Sequence, residues 1–244
     1  MNWIPQMKAT AASFKTPGGS FRIYCLFVTV IAVCAAFPAR GQETKYYAGI
    51  DLVSNYVSNG VTQSNDKPAI QPYFEVARNG FYAGTWLSTV DFGDSDNAEI
   101  DLYLGYRNAF ENDLFLDVSY ARYYYDSSGD CCGEFKLTLA YPLLDRLGVK
   151  GYVAYNPETE HFNRRLSLAY EASEKLAFAG TFGRSDFYDH DYWDVGVSYA
   201  FNNHWSLGAS YQGSGSGDEG LVVRLSLASS QTTLARLLIA PFQR

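Results

Sequence analysis

The chain has 244 residues, 16% of them aromatic with Tyr 20 and Phe 16, and its formal net charge is -7. The length admits one large domain or two ordinary ones, and the acidic balance, with an isoelectric point near 4.9, argues against the basic footprint of a nucleic-acid binder. So many aromatics at a mean hydropathy of only -0.18 suit a chain of strands that are apolar on one side alone.

The first 40 residues read as a secretory signal peptide. Lys8, Lys15 and Arg22 precede an apolar run from Ile23 to Phe37 that ends in small residues. The run is shorter than the ~18 residues expected of a spanning helix, and no later stretch is long enough either. Cleavage is expected after Ala36 or Ala39. A lipoprotein reading of Ile31-Ala32-Val33-Cys34 is weaker, because Val33 stands where a smaller residue is usual.

From residue 41 to 228 one pattern repeats. Strands are expected near 45–57, 69–77, 81–90, 99–107, 114–125, 134–141, 147–155, 164–170, 176–184, 192–200, 205–211 and 221–228. Each is close to the ~9 to 11 residues that a tilted strand needs to cross a bilayer. Asn79-Gly80, 108–113, 141–146, 171–174 and Asn202-Asn203 are tight or turn-rich, and they fall at every second junction. The junctions between them, 58–68, 91–98, 126–133, 156–163, 185–191 and 212–220, are mostly longer, rich in Gly, Ser and Asn, and acidic. Short turns at one end and longer loops at the other are the layout of an outer-membrane barrel, with the short turns in the periplasm. The fold class expected is therefore all-β: a single antiparallel transmembrane barrel of about twelve strands. Residues 229–244 lose the alternation and are placed outside it.

Side chains change face at every strand residue. One face collects Ile70, Phe74, Ile100, Leu102, Leu104, Leu116, Val118, Phe135, Leu137, Leu139, Leu166, Leu168, Val195, Val197, Leu207, Leu221, Val223 and Leu225, and is expected to meet lipid. The other carries Glu75, Glu99, Asp101, Asp117, Glu134, Lys136, Lys150, Arg165, Lys175, Asp194 and Arg224, which a closed barrel would turn inward. Residues 81–90 are ambiguous, with apolar or aromatic residues on both faces. Pro72 lacks one ladder donor and is expected at a bulge or near a rim.

The stretches SNYVSNGVTQSNDKPAIQ (Ser54–Gln71), GFYAGTWLSTVDFG (Gly80–Gly93) and EIDLYLGYR (Glu99–Arg107) resemble the TorF-type porin family, exported bacterial proteins described as outer-membrane barrels. The likeness fades to general pattern after about Arg107. It implies location and architecture, and brings no defined substrate. Barrels of this kind commonly end on a strand with a terminal aromatic, whereas here Leu227-Ala228 is followed by a further tail.

Chemistry is sparse. His161, His190 and His204 share no ligand spacing and read as surface residues. Cys25 and Cys34 belong to the signal peptide, which leaves Cys131-Cys132. Adjacent cysteines rarely bond each other, because the peptide between them must distort, and they are expected in a Gly- and Asp-rich loop, oxidised or without a partner. Tyr56-Val57-Ser58-Asn59-Gly60 resembles the His-x-Ser-Asn-Gly of an outer-membrane phospholipase, but Tyr56 stands where the base would be and leaves Ser58 unactivated. Glu99 and Asp101 share a face that would suit acid–base work, and an ion-pair network explains them as well.

The function expected is a porin-like channel for passive diffusion of small solutes, not an enzyme, with no cofactor and no metal. Glu75, Glu99, Asp101, Asp117, Lys136, Arg165, Asp194 and Arg224 are its candidate lining residues. Outer-membrane lipid, lipopolysaccharide and the barrel assembly machinery are the partners expected, and nucleic acid is not. A non-conducting structural or surface-interaction barrel and a barrel hydrolase are the alternatives.

Overall fold

The structure is a computed structural model and describes residues 43–229. The signal peptide read at 1–40 and the tail from residue 230 lie outside the described residues.

In chain order the strands are β1 (Lys45–Val53), β2 (Val57–Ser58), β3 (Val61–Thr62), β4 (Ala69–Arg78), β5 (Phe81–Thr89), β6 (Ala98–Ala109), β7 (Phe115–Tyr125), β8 (Gly129–Leu144), β9 (Leu147–Asn156), β10 (His161–Glu171), β11 (Leu176–Ser185), β12 (His190–Ala200), β13 (Trp205–Ser214) and β14 (Glu219–Ala228). β2 and β3 pair only with each other, and the other twelve form one closed barrel. Neighbours in the barrel are sequence neighbours and antiparallel, and β1 joins β4 on one side and β14 on the other, with Gly49 opposite Ala228 and Val53 opposite Arg224. Closure leaves no unpaired edge, the one way a sheet can satisfy its backbone in hydrocarbon.

The alternation written in the sequence becomes an inside and an outside. Leu104 and Leu221 are 62% and 64% exposed on the outer face, while Asp101 and Glu99 are 1% and 5% exposed on the inner one. Apolar side chains out and charged ones in is the reverse of a water-soluble protein, and is what a barrel in lipid requires. The ambiguous segment resolves the same way, with Phe81 out and Tyr82, Trp86 and Ser88 in.

The β4–β5 connection is the two-residue Asn79-Gly80 turn, both residues at positive φ (56° and 84°), the backbone that matches the strands' own twist. Pro72 stands opposite Ile50 of β1, one residue before the β4–β5 ladder begins at Tyr73, so its missing donor falls where that ladder has ended.

Three expectations are corrected. β1 stops at Val53 instead of 57, and the chain bends at Ser54 and Asn55 and leaves the ladder. Lys175 sits in the connection before β11 and not on a strand, so no pleat assigns it to the inner face. The cysteines lie in β8, not in a loop: Tyr123 opposes Cys132 and Tyr124 opposes Asp130, which leaves Cys131 as the extra residue of a bulge. Freed there from ladder pairing, it is disulfide-bonded to its neighbour Cys132.

Candidate functional site

The inner face is built by strand parity, and all eight candidate residues lie on it. Glu75 comes from β4, Glu99 and Asp101 from β6, Asp117 from β7, Lys136 from β8, Arg165 from β10, Asp194 from β12 and Arg224 from β14. They do not form one cluster.

Toward the short-turn end of β4 to β7, Arg107 is ion-paired with Glu75. Its guanidinium carbon lies 4.5 Å from the centre of the Tyr82 ring, and Tyr82 in turn donates its hydroxyl to Asp117 at 2.5 Å. Two carboxylates thus flank one cation, with an aromatic face between them. Higher on the same wall, Glu99 and Asp101 project side by side from β6.

The next wall is cationic. Lys136, Lys150 and Arg165 occupy consecutive strands, where Lys136 is opposite Ala154, and Lys150 opposite Ser167. Arg165 stacks on Tyr152 with 4.0 Å between guanidinium carbon and ring centre. Lys136 stands 5.1 Å from the Tyr123 ring centre and 3.6 Å from Glu134, which accepts a 2.5 Å hydrogen bond from the Tyr123 hydroxyl. Completing the ring, Arg224 approaches Asp51 of β1 at 3.6 Å. An acid-rich stretch of wall over β4 to β7 therefore gives way to a base-rich stretch over β8 to β10, so the sign of the local field changes around the ring.

Inward tyrosines take up much of the remaining space, and glycines accommodate them. Tyr73 is opposite Gly49, Tyr103 opposite Gly84, Tyr82 opposite Gly105 and Tyr192 opposite Gly183, with each ring lying where a Cβ on the glycine would go.

The largest feature that strand reading missed is the segment 54–68, which holds β2 and β3. Asn59 and Gly60 form its tip, both at positive φ (53° and 78°). Asn-Gly flanked by Val57 and Val61 is a hairpin signal that the sequence does carry. Instead of standing above the rim, the hairpin lies inside. Tyr56 packs edge-on against Trp86, 5.5 Å between ring centres, and its hydroxyl bonds Glu99. Burial, with Glu99 and Asp101 close by, pushes that phenol well above its ordinary pKa.

At the long-loop end the connections clasp one another. Asp96 accepts from the amides of Ser127 and Ser128, both at 2.9 Å, and from the Ser128 hydroxyl at 2.7 Å. Asp126 reciprocates by accepting from the amides of Asn97 and Ala98. Partial burial would raise the Asp96 pKa, but these hydrogen bonds outweigh it and hold the carboxyl below its usual range. The histidines are scattered: His161 lies beside Phe187, His190 bonds Asn59, and His204 bonds the Ala228 carbonyl. Among the described residues no three His, Cys, Asp or Glu side chains are grouped to hold a metal ion.

No protein of curated function matches the chain in sequence. Solved structures with the same fold include a KdgM porin, at TM-score 0.58 and 11% identity over 75% of this chain and 99% of that one. A KdgM porin in complex with disordered oligogalacturonate matches at 0.55 and 9% identity, over 78% and 99%, and a NanC porin at 0.50 and 12%, over 75% and 99%. Residues 39–229 match the profile of a family described as bacterial protein of unknown function (Gcw_chp), and the chain belongs to that family.

Proposed function

We propose that the protein is a passive channel for small solutes in the bacterial outer membrane. The observation that carries this reading is the inversion of the barrel, with exposed leucines around the outside and Asp101, Glu99, Asp194 and Lys150 buried within. The shared fold with porins and the TorF-type motifs support it. Barrels of ~8 strands fill with side chains and those of ~16 to 18 leave an open channel, so twelve suit a restricted pore.

In this reading the short turns face the periplasm and the longer loops face outward. Arg122, Arg164 and Arg184, paired with Asp130, Asp186 and Asp189 near the long-loop rim, suit contact with lipopolysaccharide headgroups. Insertion would fall to the barrel assembly machinery. The inward charges of Glu75, Glu99, Asp101, Asp117, Lys136, Arg165, Asp194 and Arg224 would set selectivity through their local fields.

Planar-bilayer recording tests it. Defined conductance steps are expected, and the reversal potential in a salt gradient should move toward cation preference in Lys136→Glu and Arg165→Glu. A well-folded barrel without steps would overturn the channel. A non-conducting structural barrel is the second reading, favoured by the hairpin that lies across the interior.

A further inference from the structure

We propose that the segment from Ser54 to Pro68 is the constriction that sets which solutes pass, with the Asn59-Gly60 tip docked on the far wall of the barrel. The inference rests on the channel reading and adds to it the element that limits size.

Adjacent antiparallel strands need only ~2 to 5 residues to connect. β1 and β4 are adjacent, yet residues 54 to 68 stand between them. From Asn55 to Ser64 the excess is not solvated loop. Tyr56, Gln63 and Ser64 are all under a tenth exposed, and the segment is braced internally. The Gln63 amide donates to the Tyr56 carbonyl at 2.6 Å, and the Ser64 hydroxyl accepts from the Tyr56 amide at 2.9 Å and donates to the Lys67 carbonyl at 2.6 Å. At its root, Asp91 beyond β5 donates its amide to the Gln63 carbonyl at 2.9 Å.

The tip lands far from the root. Asn163 of β10 donates its side-chain amide to Asn59 Oδ1 at 2.7 Å. His190 of β12 lies with Nε2 2.9 Å from the Asn59 carbonyl; since a carbonyl only accepts, that nitrogen carries the proton. Gly60 fits where a Cβ would stand 2.7 Å from Ser214 Cβ and 2.8 Å from Tyr192 Cβ. Around the closed barrel, β10 is five strands from β1 one way and six from β4 the other. A hairpin rooted between β1 and β4 and anchored on β10 therefore crosses the interior, and a solute must pass beside it.

Each docking contact is specific to this geometry. The Asn-Gly turn supplies two consecutive positive-φ residues, which leaves the Asn59 carbonyl and side chain free to meet the wall. Gly60 tolerates no side chain there. Tyr56 holds the hairpin's stem against Trp86 on the root side, so the element is clamped at both ends.

The test compares three full-length proteins from outer membranes in planar bilayers and in liposome swelling with sugars of graded size: wild type, a variant with residues 56–63 replaced by a short Gly-Ser link, and Asn163→Ala/His190→Ala, which removes the docking partners together with the acceptor of the Tyr192 hydroxyl. Folding of each is read from heat-modifiable mobility. The shortened variant is expected to conduct several-fold more per channel and to admit larger sugars, and the undocked variant to show intermediate, noisier currents. Wild type that is silent while the shortened variant conducts would overturn the channel reading and the size limit that rests on it, leaving the hairpin as the seal of a non-conducting barrel. Equal non-zero conductance and size limit in all three would overturn it and leave the channel reading standing. Silence in all three would overturn both, since a barrel still shut without the hairpin is not shut by it. If the shortened variant does not fold, the undocked pair decides by the same outcomes.

Discussion

Tyr192 lies across Gly183 on the neighbouring strand so closely that a Cβ on the glycine would stand 2.4 Å from the tyrosine's Cζ. The same residue backs the hairpin tip at Gly60 with its Cβ, so one side chain meets both the wall and what docks on it. Gly183→Ala is expected to cost about 1–3 kcal/mol by overpacking, read as a lowered urea midpoint in lipid vesicles. In a Tyr192→Ser background, itself destabilised by the lost ring, the Gly183→Ala penalty should largely vanish. Equal penalties with and without the ring would dismiss the relationship.

The Glu75–Arg107 pair is predicted to behave as a buried ion pair, since the two side chains are 10% and 23% exposed. Arg107→Met should destabilise by about 3–5 kcal/mol, because Glu75 and Asp117 lose their shared cation. Glu75→Leu together with Arg107→Met should be markedly less harmful than the single change. Additive losses in unfolding free energy would count against the network.

The outer face carries a depth-dependent prediction. Leu104 lies mid-strand, where Arg is expected to cost about 2–4 kcal/mol, whereas Leu221 is near the long-loop rim, where the cost falls to about 0–1 kcal/mol. Vesicle-based unfolding of Leu104→Arg and Leu221→Arg measures the difference. Similar values for both would argue that this face does not meet a bilayer.

Acid should loosen the loop clasp. The folded pKa of Asp96 and of Asp126 is depressed, so their contribution is present above the unfolded carboxylate pKa, about 3.9, and is lost as pH falls through the folded value. Protection of the Ser127 and Ser128 amides, corrected for intrinsic exchange, should be high at neutral pH and drop below about pH 4. Asp96→Ala should show the low protection already at neutral pH. Protection in that variant equal to wild type would refute the clasp.

Strand number, the facing of most side chains and the alternation of short turns with longer loops were legible in the chain, because each is local. A pleat turns side chains to opposite faces whatever lies beyond the strand, so Leu102 and Leu104 against Asp101 and Tyr103 needs no tertiary knowledge. Ambiguity arose where both faces were apolar, as in Tyr82 and Trp86, which lie inside. Cys131-Cys132 escaped for the opposite reason, since a bulge depends on the register of the partner strand and not on its own residues.

The sequence by itself determined the alternation, and with it which residues face away from the outer surface; it also wrote the Asn59-Gly60 turn. Only the tertiary structure decided that β1 closes on β14, that Arg107 meets Glu75, and that the hairpin folds inward to Asn163. The reason is separation along the chain. The Asn59–Asn163 bond spans 104 residues, and the closing contact of Ala48 with Ser229 spans 181. No local pattern specifies such contacts, and they follow only once twelve strands share one ring.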